Sequence, residues 1–546
     1  MKRTAPRRSR RAETGSLLVL LALTCLCYAD SLRVPFVYDD SLTILEDPSV
    51  RLQLPLSSVV KLNPFRPLLV LSFLLNYRYA GLNPFSYHIV NSLMHFFNGA
   101  LLFLLLRRLV QKPTERPESL YALLAACIAV AHPLFTESVT YISSRSTLQA
   151  TVFILLSLHL YLSFCEVGRV WPWVGSLLAF LCAAATKEMG AVAPLLMALL
   201  ALWRHPRLRR AWMGLVPFGV LFALAASYRA YVFFRIEYTT LPRSIASSIL
   251  TQLAALPTYL KLFLAPVGLT IAHDLPTASQ LMSPGLLVGL CLIAAGAGAV
   301  IWSWKRRPLP AILLGFAIVS HLPSSGIFPL QEAITEHRFY LQGLWLCALT
   351  CLPALAQAPR LRTVSAVVLT AVLVCFTGMT IARNRVWQSE EALWEDAVAK
   401  QPTSARALSN YADCLRLKGD FRSAANFYVR ALESAPGNLD YTVNLGISLA
   451  SAGRAADAEA VFTSARKLDP RSPKPLVNLG NLCAMRRDYA CARALWEEAI
   501  VLAPSSYEAR VNLAMLYRDV LGDREKSDAL LDEARRMDPV RALDDL

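Results

Sequence analysis

The sequence predicts an all-α protein: a polytopic bundle of about eleven transmembrane helices, followed by a C-terminal tetratricopeptide α-solenoid. Hydrophobic residues make up 55% of the 546-residue chain and charged residues only 17%, and the long apolar runs lie between residues 16 and 385. A run of about 20 apolar residues crosses the hydrocarbon core as a helix. The remaining residues have ordinary soluble composition and a 34-residue period, which is typical of tetratricopeptide repeats.

The apolar runs give the candidate crossings. They lie near 16–35, 87–106, 119–133, 147–165, 171–186, 189–203, 211–233, 284–304, 309–322, 339–357 and 362–382. Residues 244–265 are also apolar, but they contain Gln252, Pro257 and Lys261. A re-entrant or interfacial helix is preferred there, because a full crossing would separate the basic clusters. Residues 66–80 are predicted to be interfacial as well.

The net charge of +16 does not indicate a nucleic-acid partner. Lys and Arg cluster in short segments between apolar runs, as the positive-inside rule describes for cytoplasmic loops. Six basic residues precede the first helix, so the N-terminus is predicted to be cytoplasmic, and an odd number of crossings places the repeats on the non-cytoplasmic side. Compact, arginine-rich loops favour a bacterial inner membrane; in a eukaryote the location would be the endoplasmic reticulum membrane.

Cysteine usage indicates neither a disulfide framework nor a zinc site. The twelve cysteines are scattered, mostly inside apolar runs, without a CxxC pair. They are expected to be small hydrophobic residues rather than disulfides or zinc ligands. The N-terminal apolar stretch lacks a convincing cleavage site, so we expect an uncleaved first helix.

The C-terminal repeat is specific in its spacing. Prolines recur at 402, 436, 470 and 504, and asparagines at 410, 444, 478 and 512. The predicted domains are a membrane domain at 1–385, a connecting half-repeat helix at 386–402, and about four repeats at 403–546. Such arrays present a groove suited to a partner protein, and attachment to a membrane catalytic core favours an acceptor protein as that partner.

Ionisable side chains gather in the predicted outer segments. Singly, each fits a cap, an ion pair or an interhelical hydrogen bond; their convergence on one face is the evidence, because ionisable residues near a membrane commonly mark functional sites. This combination of charges beside apolar walls suits a substrate with a polar head and a lipid tail. The sequence has no Walker loop, GxGxxG or zinc spacing, so a nucleotide-driven activity is unsupported.

The ordered motifs VYDDS, FRPL, YHIVNSLMHFFN, HPLFTESVTYISSRS, TKE and EHRFYL, followed by the repeats, cover nearly the whole chain. Together they resemble the transmembrane and tetratricopeptide repeat-containing O-mannosyltransferases and their bacterial relatives, which are multi-spanning GT-C glycosyltransferases. The resemblance implies transfer of mannose from dolichyl-phosphate-mannose to Ser or Thr hydroxyls of exported proteins. A bacterial member would use undecaprenyl phosphate. The resemblance also implies a catalytic acidic motif in the first outer loop, a position that Asp39 and Asp40 occupy.

An inverting transfer is the resulting hypothesis. A metal-free scheme is favoured, and a divalent cation held by the Asp pair and a phosphate is the alternative. Asp39 or Asp40 is the candidate general base, and Glu137 orients the acceptor or supports the base. Cationic side chains hold the departing lipid phosphate; the candidates are Arg145, Lys187, His337 and Arg338. Further candidates on the outer face are Arg66, His88, Glu188, His273, Asp274 and Glu336.

Two alternatives use the same features differently. A non-enzymatic membrane scaffold would assemble an export or cell-surface machine on the repeats, and the outer-loop charges would be dispensable. A transporter or polymerase of lipid-linked sugars would use the same cavity without a protein acceptor.

Overall fold

The computed structural model describes residues 7–52, 55–110, 116–232, 234, 244–274, 283–324, 332, 334–538 and 540. Within these ranges the secondary structure is helical, and the isolated antiparallel bridge between His273 and Ile334 is the one extended pairing. The prediction of an all-α fold is confirmed. The chain divides into two compact units, one of residues 1–43 with 53–389 and one of residues 44–52 with 390–546.

Helices α1 to α16 account for the membrane unit, apart from the short α2, which falls within residues 44–52. They are α1 (Arg7–Tyr28), α2 (Pro48–Arg51), α3 (Leu56–Leu62), α4 (Pro67–Ala80), α5 (Pro84–Leu109), α6 (Arg116–Ala131), α7 (Thr136–Thr140), α8 (Arg145–Val167), α9 (Val170–Ala184), α10 (Ala193–Arg204), α11 (Arg209–Val232), α12 (Ile245–Leu264), α13 (Pro284–Ser303), α14 (Pro308–His321), α15 (Tyr340–Thr350) and α16 (Pro359–Val386).

Among the described residues, five helices are long and apolar enough to cross a membrane. They are Pro84–Leu109, Ile142–Val167, Arg209–Tyr231, Pro284–Ser303 and Pro359–Val386. A sixth crossing results if Leu120–Ala131 and Pro133–Thr140, bent by 52°, are one broken span. Shorter apolar helices add to these, so a membrane bundle is confirmed, while the number of eleven crossings stays a prediction. Helices α4 and α12, predicted to be interfacial or re-entrant, are not among the five.

Close helix packing in the membrane unit depends on small residues. A Cβ atom at Gly99 in α5 would lie 2.7 Å from the side chain of Val130 in α6, so only glycine allows this approach. Small residues at helix contacts are how membrane helices gain van der Waals packing. This close approach packs α5 directly against α6.

Among its described residues, the second unit consists of the short α2, α17 and four helical hairpins. Its helices are α17 (Glu390–Lys400), α18 (Ala405–Leu417), α19 (Phe421–Ser434), α20 (Leu439–Ser451), α21 (Ala455–Leu468), α22 (Lys474–Met485), α23 (Tyr489–Leu502), α24 (Tyr507–Leu516) and α25 (Arg524–Met537). The hairpins keep the predicted 34-residue spacing. The predicted domain boundaries at 385 and 402 stay predictions; α17 begins at Glu390.

The in-phase residues of the repeats meet as their period predicts. Tyr428, Phe462 and Trp496 are buried. A Cβ atom at Gly446 would overlap the ring of Phe462, and one at Gly480 would lie 2.5 Å from the indole nitrogen of Trp496. The glycine of the NLG motif is therefore required because the large ring of the following helix occupies the space of a side chain.

One expectation about cysteine is wrong. Cys483 and Cys491 form a disulfide that joins α22 to α23, with their Cα atoms 5.9 Å apart. Their eight-residue spacing spans the turn of one repeat hairpin, and the antiparallel helices bring the two side chains face to face. Linear spacing alone does not show this pairing. Ten other cysteines are free, and several are buried in the membrane unit as expected.

Candidate active site

Asp40 is fully buried and joins two loops of the membrane unit. Its Oδ1 accepts hydrogen bonds from the backbone N–H (2.8 Å) and the hydroxyl (2.6 Å) of Ser143, and its Oδ2 accepts one from the N–H of Val37 (3.1 Å). Burial raises the pKa of Asp40 to about 7, although the hydrogen bonds from Ser143 and Val37 act in the opposite direction. The carboxyl group therefore holds the loop after α1 against the segment that precedes α8.

Asp39 is only half-buried, unlike its neighbour. The residue before it, Tyr38, has a φ of +55°, in the left-handed region that a bulky side chain rarely adopts. This turn sends Asp40 into the interior while the Asp39 carboxylate accepts a hydrogen bond from the hydroxyl of Tyr141. Of the two adjacent carboxylates, Asp39 is thus the more exposed. Strained backbone of this kind is frequent at functional sites.

Tyr38 also links the acidic loop to the EHR segment. Its hydroxyl donates to Oε1 of Glu332 over 3.1 Å. Arg338 in turn donates to the backbone carbonyl of Glu332 over 2.9 Å, and its Nη2 lies 3.6 Å from Oε2 of the same residue. The loop after α1 and the segment before α15 are therefore connected through a single glutamate.

Glu137 is buried and pairs with His337. Its Oε1 lies 2.5 Å from Nδ1 of His337, and its Oε2 accepts a hydrogen bond from the backbone N–H of Glu336 over 3.0 Å. Burial lowers the pKa of the His337 imidazole, and the carboxylate of Glu137 opposes that effect. The His337 side chain keeps 18% of its surface exposed. The Glu137 carboxylate therefore fixes the orientation of the imidazole, while part of the ring stays exposed.

Glu336 is enclosed by protein groups and fixes neighbouring segments to each other. It is fully buried, and its Oε1 accepts hydrogen bonds from the N–H of Thr270 (2.7 Å) and from Nε2 of His273 (2.9 Å). The bridge between His273 and Ile334 reinforces the same contact. Glu336 and His273 thus fix the segment after α12 to the EHR turn, and Asp274 lies exposed beyond them.

Lys187 adds a second cation beside this group. Its Nζ donates to the hydroxyl of Thr147 over 2.8 Å. Burial lowers the pKa of Lys187 to about 7, and the carboxylate of Glu188 opposes this effect. The charge of Arg338 lowers the pKa further, and that of Glu137 raises it. The adjacent Glu188 forms an ion pair of 3.1 Å with Arg66, and both side chains are substantially exposed. The lysine, rather than this exposed pair, lies within electrostatic reach of Glu137 and His337.

Arg145 does not occupy the position that its predicted phosphate-binding role requires. The guanidinium is fully buried and donates to Asn91 (2.8 Å), Asn76 (2.6 Å) and the carbonyl of Tyr87 (3.1 Å). It also lies 4.6 Å above the ring of Phe73. These contacts tie α4 and α5 to α8, so the residue serves helix packing. The charge pattern of the sequence does not distinguish a buried clamp from a ligand-binding cation.

His88 also has a supporting role. It is 1% exposed, and its Nε2 lies 2.9 Å from the carbonyl oxygen of Val34. The contact fixes the chain that leads from α1 to the acidic pair against α5. His88 therefore positions the loop and does not face a substrate.

The structure links the candidate residues in steps: Tyr38 and Glu332 connect the loop of Asp39 and Asp40 to Arg338. Glu137 pairs with His337, and Lys187 lies within electrostatic reach of Glu137 and Arg338. Sequence reasoning missed Ser143, Tyr141 and Glu332, which connect them. The first two lie inside the TYISSRS motif, whose polar residues are a usable signal. Glu332 carries none, because it stands alone between segments without periodicity.

Comparison with known proteins supports the resemblance drawn from the motifs. The tetratricopeptide repeat family matches residues 382–438 and 418–473. Mouse Protein O-mannosyl-transferase TMTC3 is 22% identical over 95% of this chain and 60% of its own length. Human TMTC1 is 26% identical over 80% of the chain and 57% of its own length, and a Caenorhabditis elegans Protein O-mannosyl-transferase, F38B6.6, is 24% identical over 80% and 65%.

The chain is a relative of the TMTC protein O-mannosyl-transferases. It spans about 60% of the length of the first TMTC relatives that it matches. These relatives come from mouse, human and nematode, so the preference for a bacterial host is not borne out.

Proposed function

We propose that this chain is a membrane-embedded protein O-glycosyltransferase that moves a sugar, with mannose the first choice, from a polyprenyl-phosphate carrier to Ser or Thr hydroxyls of exported proteins. The observation that carries the proposal is that an accessible carboxylate, Asp39, lies on a loop that Tyr38 and Glu332 connect to Arg338, with His337 and Lys187 within electrostatic reach of that arginine. The names of the TMTC relatives support the reaction class.

Asp39 is the proposed general base. The acceptor hydroxyl oxygen attacks the anomeric carbon while Asp39 takes its proton, and the bond from that carbon to the phosphate oxygen breaks. The electron pair of that bond leaves on the phosphate, giving an inverted glycoside and free polyprenyl phosphate. Asp40 is the positioning residue, because Ser143 and Val37 already occupy its oxygens. General base catalysis of this type contributes about 10²- to 10⁴-fold.

The departing phosphate is the proposed partner of Lys187, His337 and Arg338. Arg338 presents a planar guanidinium held by Glu332, His337 is oriented by Glu137, and Lys187 supplies an ammonium group held by Thr147. Charge-assisted hydrogen bonds from such groups offset the negative charge that develops on the leaving oxygen. The scheme needs no metal ion.

The repeat unit is the proposed acceptor-binding part, and it faces the same compartment as Asp39. The disulfide between Cys483 and Cys491 supports this orientation, because disulfides persist in oxidising compartments such as the lumen of the endoplasmic reticulum. With animal proteins among the relatives, the endoplasmic reticulum membrane is the proposed location.

The test is transfer by the purified full-length chain in detergent. Dolichyl-phosphate-mannose and a Ser/Thr-rich peptide are supplied with a chelator, and the peptide is analysed by mass spectrometry. The expected product carries added hexose, and a matched peptide with Ala at every Ser and Thr stays unmodified. Unmodified peptide in both samples would favour the scaffold alternative, and consumption of the donor without peptide product would favour a transporter or polymerase.

A further inference from the structure

A basic cavity lies at the end of the membrane unit opposite the candidate active site. It has a volume of about 460 Å³, and its charged and polar lining consists of Glu13, Arg107, Arg108, His159, Glu166 and Arg204. These residues come from α1, α5, α8 and α10. None of them takes part in the proposed transfer.

The length of the helices fixes the distance between the two places. Arg107 follows His88 by 19 residues along α5, and Glu166 follows Arg145 by 21 residues along α8. At 1.5 Å per residue these stretches span about 29 and 32 Å. The hydrocarbon core of a bilayer is about 30 Å thick. The cavity therefore lies at the other membrane surface, where the sequence places its basic clusters.

Arginine donors exceed the carboxylates that could satisfy them. Arg107 pairs with Glu13 over 2.8 Å and Arg108 with Glu166 over 2.9 Å. Arg204 donates instead to the backbone carbonyls of Arg108 and Leu109, at 2.5 and 2.9 Å. Within the described part of the chain, the buried Nε atoms of Arg107 and Arg204 have no hydrogen-bond partner.

The charge of the cavity favours an anion. Three arginines face two glutamates, so the lining carries one net positive charge with His159 neutral. Guanidinium groups bind phosphate oxygens through pairs of parallel hydrogen bonds. At the end of transmembrane helices, the phosphate source within reach is a lipid headgroup, and basic pockets of this kind bind anionic lipids.

We infer that this cavity binds the phosphate-bearing headgroup of an anionic membrane lipid on the cytoplasmic surface. The apolar residues Leu104 and Val110 at its edge lie where the acyl chains would begin. The site is independent of the proposed transfer, and it stands if that proposal fails.

The test is lipid binding to the purified full-length chain, measured by native mass spectrometry in neutral detergent. Phosphatidylserine and phosphatidylcholine are compared, and inorganic phosphate is added as a competitor. Phosphatidylserine is expected to bind about tenfold more tightly than phosphatidylcholine. The variant Arg107→Gln/Arg108→Gln is expected to lose about tenfold or more in that affinity, since each basic residue near a membrane surface contributes about fivefold.

Arg207→Gln is the matched control. Arg207 is exposed in the same basic segment but does not line the cavity, so its removal is expected to change binding less than twofold. An equal loss of phosphatidylserine affinity in this control would show that basic residues attract the lipid without a defined site, and would overturn the inference. Equal binding of the two lipids would overturn it too, as would occupancy by inorganic phosphate without a lipid preference.

Glu13→Gln tests the site without removing an arginine. It takes away a carboxylate that competes for Arg107, so phosphatidylserine is expected to bind several-fold more tightly. Unchanged or weaker binding in this variant contradicts the inference, even where the double arginine variant does not fold.

Discussion

The repeat unit and the membrane unit differ in the sequence separation of their internal contacts. In the repeats, partners lie within one hairpin or its neighbour: the hydroxyl of Tyr428 donates to Asp413, 15 residues away. In the membrane unit, Asp40 and Ser143 are 103 residues apart, and Glu137 and His337 are 200 apart. Substitutions in the repeats are therefore expected to act locally, whereas substitutions in the loops of the candidate site are expected to act on a site assembled from distant parts of the membrane unit.

The largest effect is expected at Asp39. Replacing Asp39 with Asn removes the proposed base, and the transfer rate is expected to fall by about 10²- to 10⁴-fold with little change in melting temperature. Asp30→Asn is the matched control in the same connection. Its side chain is 46% exposed and lies 3.9 Å from Arg385, so less than a threefold change is expected. Full activity of the Asp39→Asn protein would contradict the assignment of Asp39 as the general base.

Asp40→Asn sharpens the distinction between the two neighbours. The substitution disturbs the buried hydrogen bonds to Ser143 and Val37, so thermal unfolding is expected to show a loss of about 1–3 kcal/mol in stability. Transfer should fall with the fraction of correctly folded protein. A loss of rate as large as that of Asp39→Asn, in fully folded protein, would reverse the two roles.

Glu137→Gln tests the contact that joins two distant loops. A hydrogen bond between charged groups contributes about 1.5–3 kcal/mol, so kcat is expected to fall about tenfold to a hundredfold. Glu188→Gln makes the same change in an exposed ion pair, where less than a threefold effect is expected. Similar losses in the two variants would show that burial of the Glu137–His337 pair is irrelevant.

The lowered pKa of Lys187 predicts that kcat/KM depends on pH. Because the pKa of Lys187 is lowered to about 7, its ammonium group loses its proton as the pH rises through that value, and phosphate binding weakens. The kcat/KM of the wild type is expected to fall about tenfold for each pH unit above 7. Lys187→Arg retains the charge and is expected to move this alkaline limb upward by more than one pH unit. An unmoved limb would assign it to another group.

The smallest effect on transfer is expected in the repeats. Gly446→Ala places a methyl group against the ring of Phe462 and is expected to destabilise the repeat unit by about 1–3 kcal/mol, measured by thermal unfolding. Adding Phe462→Leu should restore part of that stability, because the two residues share one contact. Transfer to a short peptide should stay near the wild-type rate. Absence of any rescue would place the strain elsewhere.

The same difference in contact distance explains what the sequence could predict. The period from Pro402 to Pro504 identifies the helices and their contacts in the repeats, because each hairpin meets only its neighbours. In the membrane unit, the residue types and their side of the bundle were predictable, but their pairing was not. Arg145 and Lys187 look alike in the sequence, yet one is enclosed by Asn91 and Asn76 and the other faces Glu137. Only the packing of α4, α5 and α8 separates the two.

Membrane sidedness is the most direct test of this account, because the carboxylate and the repeats have to share a compartment. In a chain whose free cysteines are replaced by Ser, Leu42→Cys, Val501→Cys and Arg207→Cys place single reporters at exposed positions beside the acidic pair, in the repeats and beside the basic cavity. In sealed vesicles with the cytoplasmic side outward, an impermeant maleimide should label only the Arg207 reporter, and the other two should react after permeabilisation. Labelling of Leu42→Cys and Val501→Cys from opposite sides would contradict acceptor delivery to Asp39.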